Sequence, residues 1–385
     1  ALIGPAGTGK TTCLSALRQV WEDEHGPGSI VGLAPSAVAA SVLGKEIDVP
    51  TDNVAKWLWE SEGPGAARRH EKITATRQQM TQLLDQLPDS PTAQQQRTLR
   101  RLNATLTELE TTQDRYQMRP GQMVIVDEAS MAGTHSLDRL RAQAETAGAR
   151  IVAVGDPSQL GAIEAGGTLG WIERHQDQPN VTAATLESVW RFKNDWEASN
   201  SLALRQGEHD AIDPLLEHDR ITQVDEPEAV EATAFDQWAE ARTQGSALLL
   251  SASQESVDRL NLQAQDLLRS TGEIDHTTTV ALSGDSVAGL GDRILTRRNE
   301  RRLTTGKSWV KNGDRWQVTG RGKDGSLTVR RLGKGDRPHG RALTLPASYV
   351  AEDVELGYST TAHRAQGATV DTAHALIDPN SASRE

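Results

Sequence analysis

Ala1-Leu2-Ile3-Gly4-Pro5-Ala6-Gly7-Thr8-Gly9-Lys10-Thr11-Thr12 opens the chain with a short apolar run, a glycine-rich turn and the start of a helical pattern. Gly4 to Thr11 fits GxxxxGK[ST], set between a strand and a helix as a phosphate-binding loop requires. Its glycines let successive backbone N–H groups turn toward a β-phosphate, and the helix N-terminus adds its positive dipole. Lys10 is spaced to reach the β- and γ-oxygens, and Thr11 to offer a hydroxyl to magnesium. ATP and Mg2+ are therefore the expected ligands, with Gly4, Pro5, Ala6, Gly7, Thr8, Gly9, Lys10, Thr11 and Thr12 as the candidate nucleotide-binding residues.

Working outward, Ile30 to Leu33, Met123 to Val126 and Ile151 to Val154 are short apolar runs separated by amphipathic segments. This βαβα rhythm predicts a parallel sheet, with chemistry at the strand ends. Between the blocks, 62–120 is rich in Gln, Arg and Thr, and Leu99, Leu102, Leu106 and Leu109 recur at helical spacing. A helical hairpin inserted in the first domain follows, with its turn at Pro88 to Pro91. After Val181 the α/β pattern begins again, which predicts a first domain over 1–180 and a second over 181–306 and 351–385. Over 307–350, short strands separated by Asn312-Gly313, Lys323-Asp324-Gly325 and Gly333-Lys334-Gly335 predict a small β-barrel.

At 385 residues the chain exceeds a single core, and 36% apolar residues with mixed charges read as globular. No apolar run approaches the roughly 18 residues of a membrane span. The single cysteine, Cys13, excludes an internal disulfide, and a reducing cytoplasm fits. The opening residues look like the tail of a strand, so the natural N-terminus is expected to lie upstream. Net charge is −12, yet Gly291 to Arg341 holds fifteen Lys and Arg against five Asp and Glu, a local +10. A polyanion would be gripped there.

Asp127 and Glu128 follow an apolar strand, where Asp127 suits magnesium and Glu128 suits the attacking water. Gly155-Asp156-Pro157-Ser158-Gln159-Leu160 ends the next strand, and the Gln159 amide is a candidate partner for the γ-phosphate or the water. With Asp127-Glu128-Ala129-Ser130, this segment resembles motifs II and III of superfamily 1 helicases of the exonuclease V alpha-subunit type.

The resemblance implies two RecA-like P-loop NTPase domains with ATP in the cleft between them, and identifies 307–350 as an SH3-like insertion. Leu186 to Phe192 resembles motif IV, which implies that Arg191 stabilises γ-phosphate charge from the second domain. Gly357 to Thr369 resembles motif V, bringing in His363 as a DNA contact and Gln366 and Gly367 at the nucleotide. Pro35, Ser36 and Thr51 resemble DNA-touching motifs of the first domain, and Arg297, Asn299 and Arg302 precede the insertion.

Val189 to Phe192 and Val310 to Trp316 are most similar to the helicase portion of MobF-type conjugative relaxases. That likeness implies 5′-to-3′ movement on single-stranded DNA, a covalent N-terminal relaxase domain in the full-length protein, and conjugation machinery as partner. Nicking itself is not expected of this chain. The family's upstream glutamine segment and its motif VI are lacking, so a fragment trimmed at both ends, with impaired activity, is expected. A stand-alone repair helicase and a non-catalytic nucleotide- and DNA-binding module are the alternatives.

Overall fold

The computed structural model describes residues 1–377 apart from 89, 160, 163, 164, 180, 193, 225, 307 and 366–369. The chain forms two compact units, Ala1–Pro214 and Leu215–Glu385.

The first unit is built on β1 (Leu2–Ile3), α1 (Lys10–His25), β2 (Ile30–Ala34), α2 (Ala37–Glu46), β3 (Thr51–Asn53), α3 (Val54–Ser61), α4 (Pro64–Asp85) and α5 (Ala93–Arg115). It continues through β4 (Met123–Val126), α6 (Thr134–Ala147), β5 (Arg150–Gly155), α7 (Thr168–Arg174), β6 (Ala184–Thr185) and α8 (Asp195–Gln206). The six strands pair in the order β3-β2-β4-β5-β1-β6, all parallel. β2 and β4 are buried along their whole length, as strands covered on both faces must be. Leu14, Ile30, Leu43, Ile125 and Val154 fill one side of the sheet, and Leu33, Val54, Val126 and Leu140 the other. Each such side chain contributes about 1.5–3 kcal/mol of burial.

Local chemistry sets the helix starts. Ser36 accepts from the Ala39 N–H to begin α2, Asn53 accepts from the Lys56 N–H to begin α3, and Thr92 with Gln95 forms a capping box at α5. α4 and α5 pack as a hairpin, and α5 contributes no fully buried residue. Its root is polar: Arg69, buried in α4, bonds Glu60 and lies over the Tyr116 ring, whose hydroxyl donates to buried Asp52 at 2.8 Å.

The boundary falls at Pro214/Leu215 rather than at the expected 180/181. Residues 181–214 stay with the first unit because β6 pairs with β1 and Arg205 of α8 bonds Asp156 at the end of β5.

α9 (Asp213–Glu217) spans that boundary, and the second unit then runs through α10 (Pro227–Ala241), β7 (Ala247–Ser251), α11 (Gln254–Ser270), β8 (Asp275–Ala281), β9 (Val287–Leu290) and β10 (Arg293–Thr296). Next come β11 (Glu300–Thr305), β12 (Ser308–Val310), β13 (Arg315–Arg321), β14 (Leu327–Leu332), β15 (Pro338–Leu345), α12 (Ala347–Asp353), β16 (Val354–Leu356), β17 (Ser359–Thr361), α13 (Ala362–Ala365) and β18 (Thr372–Leu376). β17-β7-β18 form a parallel sheet against which α10 and α11 pack. A five-stranded antiparallel sheet, β15-β14-β13-β10-β16, takes in 293–296 and 354–356, so it is not confined to the expected 307–350. Its register places Trp316, Val318, Leu327, Val329 and Leu345 in one core.

Asp292, fully buried, ties this unit together. Its carboxylate accepts from the Tyr358 hydroxyl at 2.5 Å, the Gly289 N–H at 2.6 Å and the Gln265 amide at 3.1 Å, with His276 Nε2 at 2.7 Å. Burial, followed by the Asp292 charge, raises the Tyr358 pKa and keeps that hydroxyl a donor.

Candidate nucleotide site

The parallel order of the first unit delivers five loops to the carboxyl edge of one sheet. The phosphate-loop sequence follows β1, Pro35 and Ser36 follow β2, Asp127 and Glu128 follow β4, Asp156 to Gln159 follow β5, and Leu186 to Phe192 follow β6.

Within the loop, Gly7 and Gly9 hold positive φ values of 84° and 86°, a backbone state that costs other residues energy. Gly9 caps α1 without a side-chain bond, and a Cβ there would meet nothing within 4 Å, so the space beside the start of α1 is open. Thr8 donates to the Pro5 carbonyl at 2.9 Å, and Lys10 Nζ donates to the Gly4 and Pro5 carbonyls at 2.7 and 2.9 Å. The ammonium thus arches over the loop. Burial lowers the Lys10 pKa, while Glu128, Asp156 and Asp127 pull the other way and show that the acids lie within electrostatic reach. Ala6 belongs to the same turn, and Thr12 is exposed on α1.

Asp127 and Glu128 form no ion pair among the described residues. Burial raises both pKa values, and Asp127 pushes Glu128 further in the same direction. Glu128 also adopts φ 50°, while the other non-glycine positive φ values among the described residues belong to Asp48, Asp219 and Asp336. Asp visits that region readily and Glu does not, so strain of about 1–3 kcal/mol sits on this acid.

Thr11 Oγ1 donates to Glu46 Oε2 at 3.1 Å, which leaves its oxygen free to accept or to coordinate. Thr11 and Asp127 are hard oxygen donors that fit magnesium, which takes few protein ligands and completes its shell with water and phosphate oxygens. Among the described residues no group of three or more His, Cys, Asp and Glu could hold a metal unaided.

Arg191 lies in the first unit, correcting the expectation that it comes from the second. β6 pairs beside β1, so the chain after it runs over the loop: the Trp190 N–H donates to the Gly7 carbonyl at 2.8 Å, and a Cβ on Gly7 would strike Cβ of Arg191. Trp190 itself is 78% exposed. Gln159 Nε2 donates to Asp156 Oδ2 at 3.2 Å, and Asp156 is in turn bonded by Arg205 at 3.0 Å. Glu46 and Arg205 carry no motif signal, and Trp190 enters the sequence reading only as part of the Leu186 to Phe192 stretch. Their partners lie 35, 183 and 49 residues away, a separation no motif spacing shows.

The candidate DNA contacts have a different character. Ser36 caps α2, and Thr51 lies at the amino end of β3 with its side chain against Gly32 and Gly44, a packing position rather than a strand-end one. Arg297 bonds Glu355 at 2.6 Å, and Asn299 accepts from the Asn312 N–H at 3.0 Å. Arg302 and His363 are exposed. Gln366 and Gly367, with Leu160, Ala368 and Thr369, lie outside the described residues. The basic segment is also less free than its charge count implies. Arg293 and Arg315 share Asp336, Arg331 bonds Asp314, and Arg298 bonds Asp353. No described helix is long and apolar enough to cross a membrane.

Comparison with known proteins agrees with this geometry. A probable conjugal transfer protein TraA of Sinorhizobium fredii is 26% identical over 379 residues, which is 98% of this chain and 28% of that protein. The conjugal transfer protein TraA of Rhizobium radiobacter is 28% identical over 383 residues, again 98% and 28%. The RecBCD enzyme subunit RecD of Mycobacterium tuberculosis is 31% identical over 232 residues, 58% of this chain and 35% of that subunit. The chain therefore spans 28% of the length of the TraA relatives. The family described as AAA domain matches residues 1–226, more than half of the chain and all of the strand-end loops just described, and the chain belongs to that AAA domain family.

Proposed function

We propose that the chain is the ATP-hydrolysing motor of a superfamily 1 DNA helicase or translocase, moving 5′-to-3′ on single-stranded DNA within a conjugative relaxase-helicase. The observation that carries the reading is the convergence of Lys10, Asp127 and Glu128 at one sheet edge, with the two acids half-buried and in no ion pair among the described residues. Likeness to conjugal transfer proteins along 98% of the chain supports the conjugative setting, and its 28% share of their length leaves room for a relaxase domain.

In this reading the loop N–H groups and Lys10 bind the β- and γ-phosphates. Thr11 and Asp127 would hold magnesium, which neutralises charge on the phosphate oxygens. Glu128 orients water and takes its proton as the water oxygen bonds the γ-phosphorus and the bond to the bridging oxygen breaks, releasing ADP and phosphate. A carboxyl pKa raised by burial suits that proton transfer. Gln159 and Arg191 are assigned to the water and to the γ-phosphate charge. Exposed Trp190 offers a stacking surface beside the loop.

The test is hydrolysis by the protein and by Lys10→Ala, with and without single-stranded DNA. DNA-stimulated hydrolysis that falls by about 100-fold or more in Lys10→Ala is expected. Hydrolysis indifferent to Lys10 overturns the reading. A repair helicase is the second reading, favoured by the 31% identity to RecD over 232 residues. A non-catalytic module would instead bind DNA equally with and without an ATP analogue, whereas coupled sites shift each other's affinity reciprocally.

A further inference from the structure

Asp156 is 3% exposed, and a carboxylate that deeply buried must be neutralised or strongly hydrogen-bonded. It meets that demand in three ways. Oδ1 accepts from the Ser158 N–H at 3.1 Å and from Arg205 Nε at 3.0 Å, and Oδ2 accepts from Gln159 Nε2 at 3.2 Å. Arg205 divides its planar fork between two acids, with its second nitrogen donating to Glu173 of α7 at 3.0 Å. A lysine, with one point charge, cannot hold both in that geometry. Burial works against the Arg205 charge, yet the bonds to Glu173 and Asp156 outweigh it and leave the guanidinium more firmly protonated.

The position matters as much as the pairing. Asp156 lies close enough to Lys10 and Glu128 to influence both electrostatically, so an unpaired charge there would repel the phosphates of a nucleotide and further discourage ionisation of Glu128. Arg205 cancels that charge from behind while Asp156 holds the Gln159 amide in front. α8, which carries Arg205, begins four residues after Arg191.

Resting on the hydrolysis reading above, we propose that Arg205 is a positioning residue for the reaction, fixing Asp156 so that Asp156 places Gln159 at the γ-phosphate end of the site. Arg205 touches no substrate in this arrangement; it acts through the carboxylate and the amide. ADP, which has no γ-phosphate, should therefore be bound almost normally without it.

The experiment compares wild type, Arg205→Ala, Arg205→Lys, Gln159→Ala and the double variant Arg205→Ala/Gln159→Ala in the full-length protein, by single-turnover ATP hydrolysis and by ADP titration. Arg205→Ala is expected to slow hydrolysis about 10-fold or more while changing ADP affinity less than about 3-fold, and Arg205→Lys should fall between it and wild type. Adding Arg205→Ala to Gln159→Ala should cost little further, because residues acting through one another are not additive. The inference is overturned if Arg205→Ala leaves hydrolysis unchanged, if ADP affinity and hydrolysis fall together, or if the two substitutions multiply. Should Arg205→Ala not fold, Arg205→Lys against Gln159→Ala gives the same cycle. Wild-type hydrolysis that ignores Lys10 would remove the hydrolysis reading and this inference with it, whereas Lys10-dependent hydrolysis indifferent to Arg205 would remove this inference alone.

Discussion

Two acidic sites removed from bulk water are handled in opposite ways in this molecule. Asp292 of the second unit is surrounded by Tyr358, His276, Gln265 and the Gly289 N–H, and both carboxylate oxygens are hydrogen-bonded. Asp127 and Glu128 of the first unit are half-buried with no ion pair among the described residues, and Glu128 holds a strained φ as well. A buried charge with a full set of partners is a structural tie. One left short is a place where the protein gives up stability for something that arrives from outside.

The largest effect should come from the short-handed site. Glu128→Gln keeps the shape, removes the proton acceptor, and is expected to lower hydrolysis by about 100-fold to 1,000-fold. The same substitution should stabilise the ligand-free protein by about 1 kcal/mol, measured by chemical denaturation. The sign has a pH signature. Because burial raises the Glu128 pKa above its ordinary 4.5, the folded state favours the protonated form, and stability is lost as pH rises through the folded value. The gap between variant and wild type should therefore open with rising pH and close at pH below about 4.5. A destabilised Glu128→Gln would break the comparison outright.

At the tied site the expectation reverses. Asp292→Ala strands the donors of Tyr358, His276 and Gln265 and should cost about 3 kcal/mol of stability in the second unit, read by denaturation. Glu128→Gln and Asp292→Ala thus move stability in opposite directions although each removes one acid.

What the sequence made legible follows the same division. Lys10, Thr11, Asp127 and Glu128 lie in contiguous motifs after apolar strands, and the sheet order gathers them because parallel strands present their ends together. Arg205 beside Asp156, Glu46 beside Thr11 and Tyr358 beside Asp292 depend on partners far along the chain, which no local window contains. Arg191 is expected in the second unit from the likeness of Leu186 to Phe192 to motif IV, and β6, the strand that keeps it in the first, has two residues and no periodicity to read against that likeness. The +10 of the basic segment misled in a third way: Arg297, Arg298 and Arg321 pair with Glu355, Asp353 and Asp275, acids just outside the counted window.

The smallest effect sharpens that last point. Arg302 is exposed and Arg297 is bonded to Glu355, so the two should differ toward DNA. Arg302→Ala should reduce the slope of log affinity against log salt by about 1, whereas Arg297→Ala should change it less. Equal changes would mean that the Arg297 pair opens on binding.

The hairpin of α4 and α5 leaves the sheet beside α3 and returns just before β4, with its buried polar anchor at the base. At 1.5 Å per residue its 22- and 23-residue arms are about 33 and 35 Å long. A reporter domain spliced between Gln86 and Thr92, at the far end of the hairpin from that anchor, is therefore expected to leave the strand-end loops undisturbed.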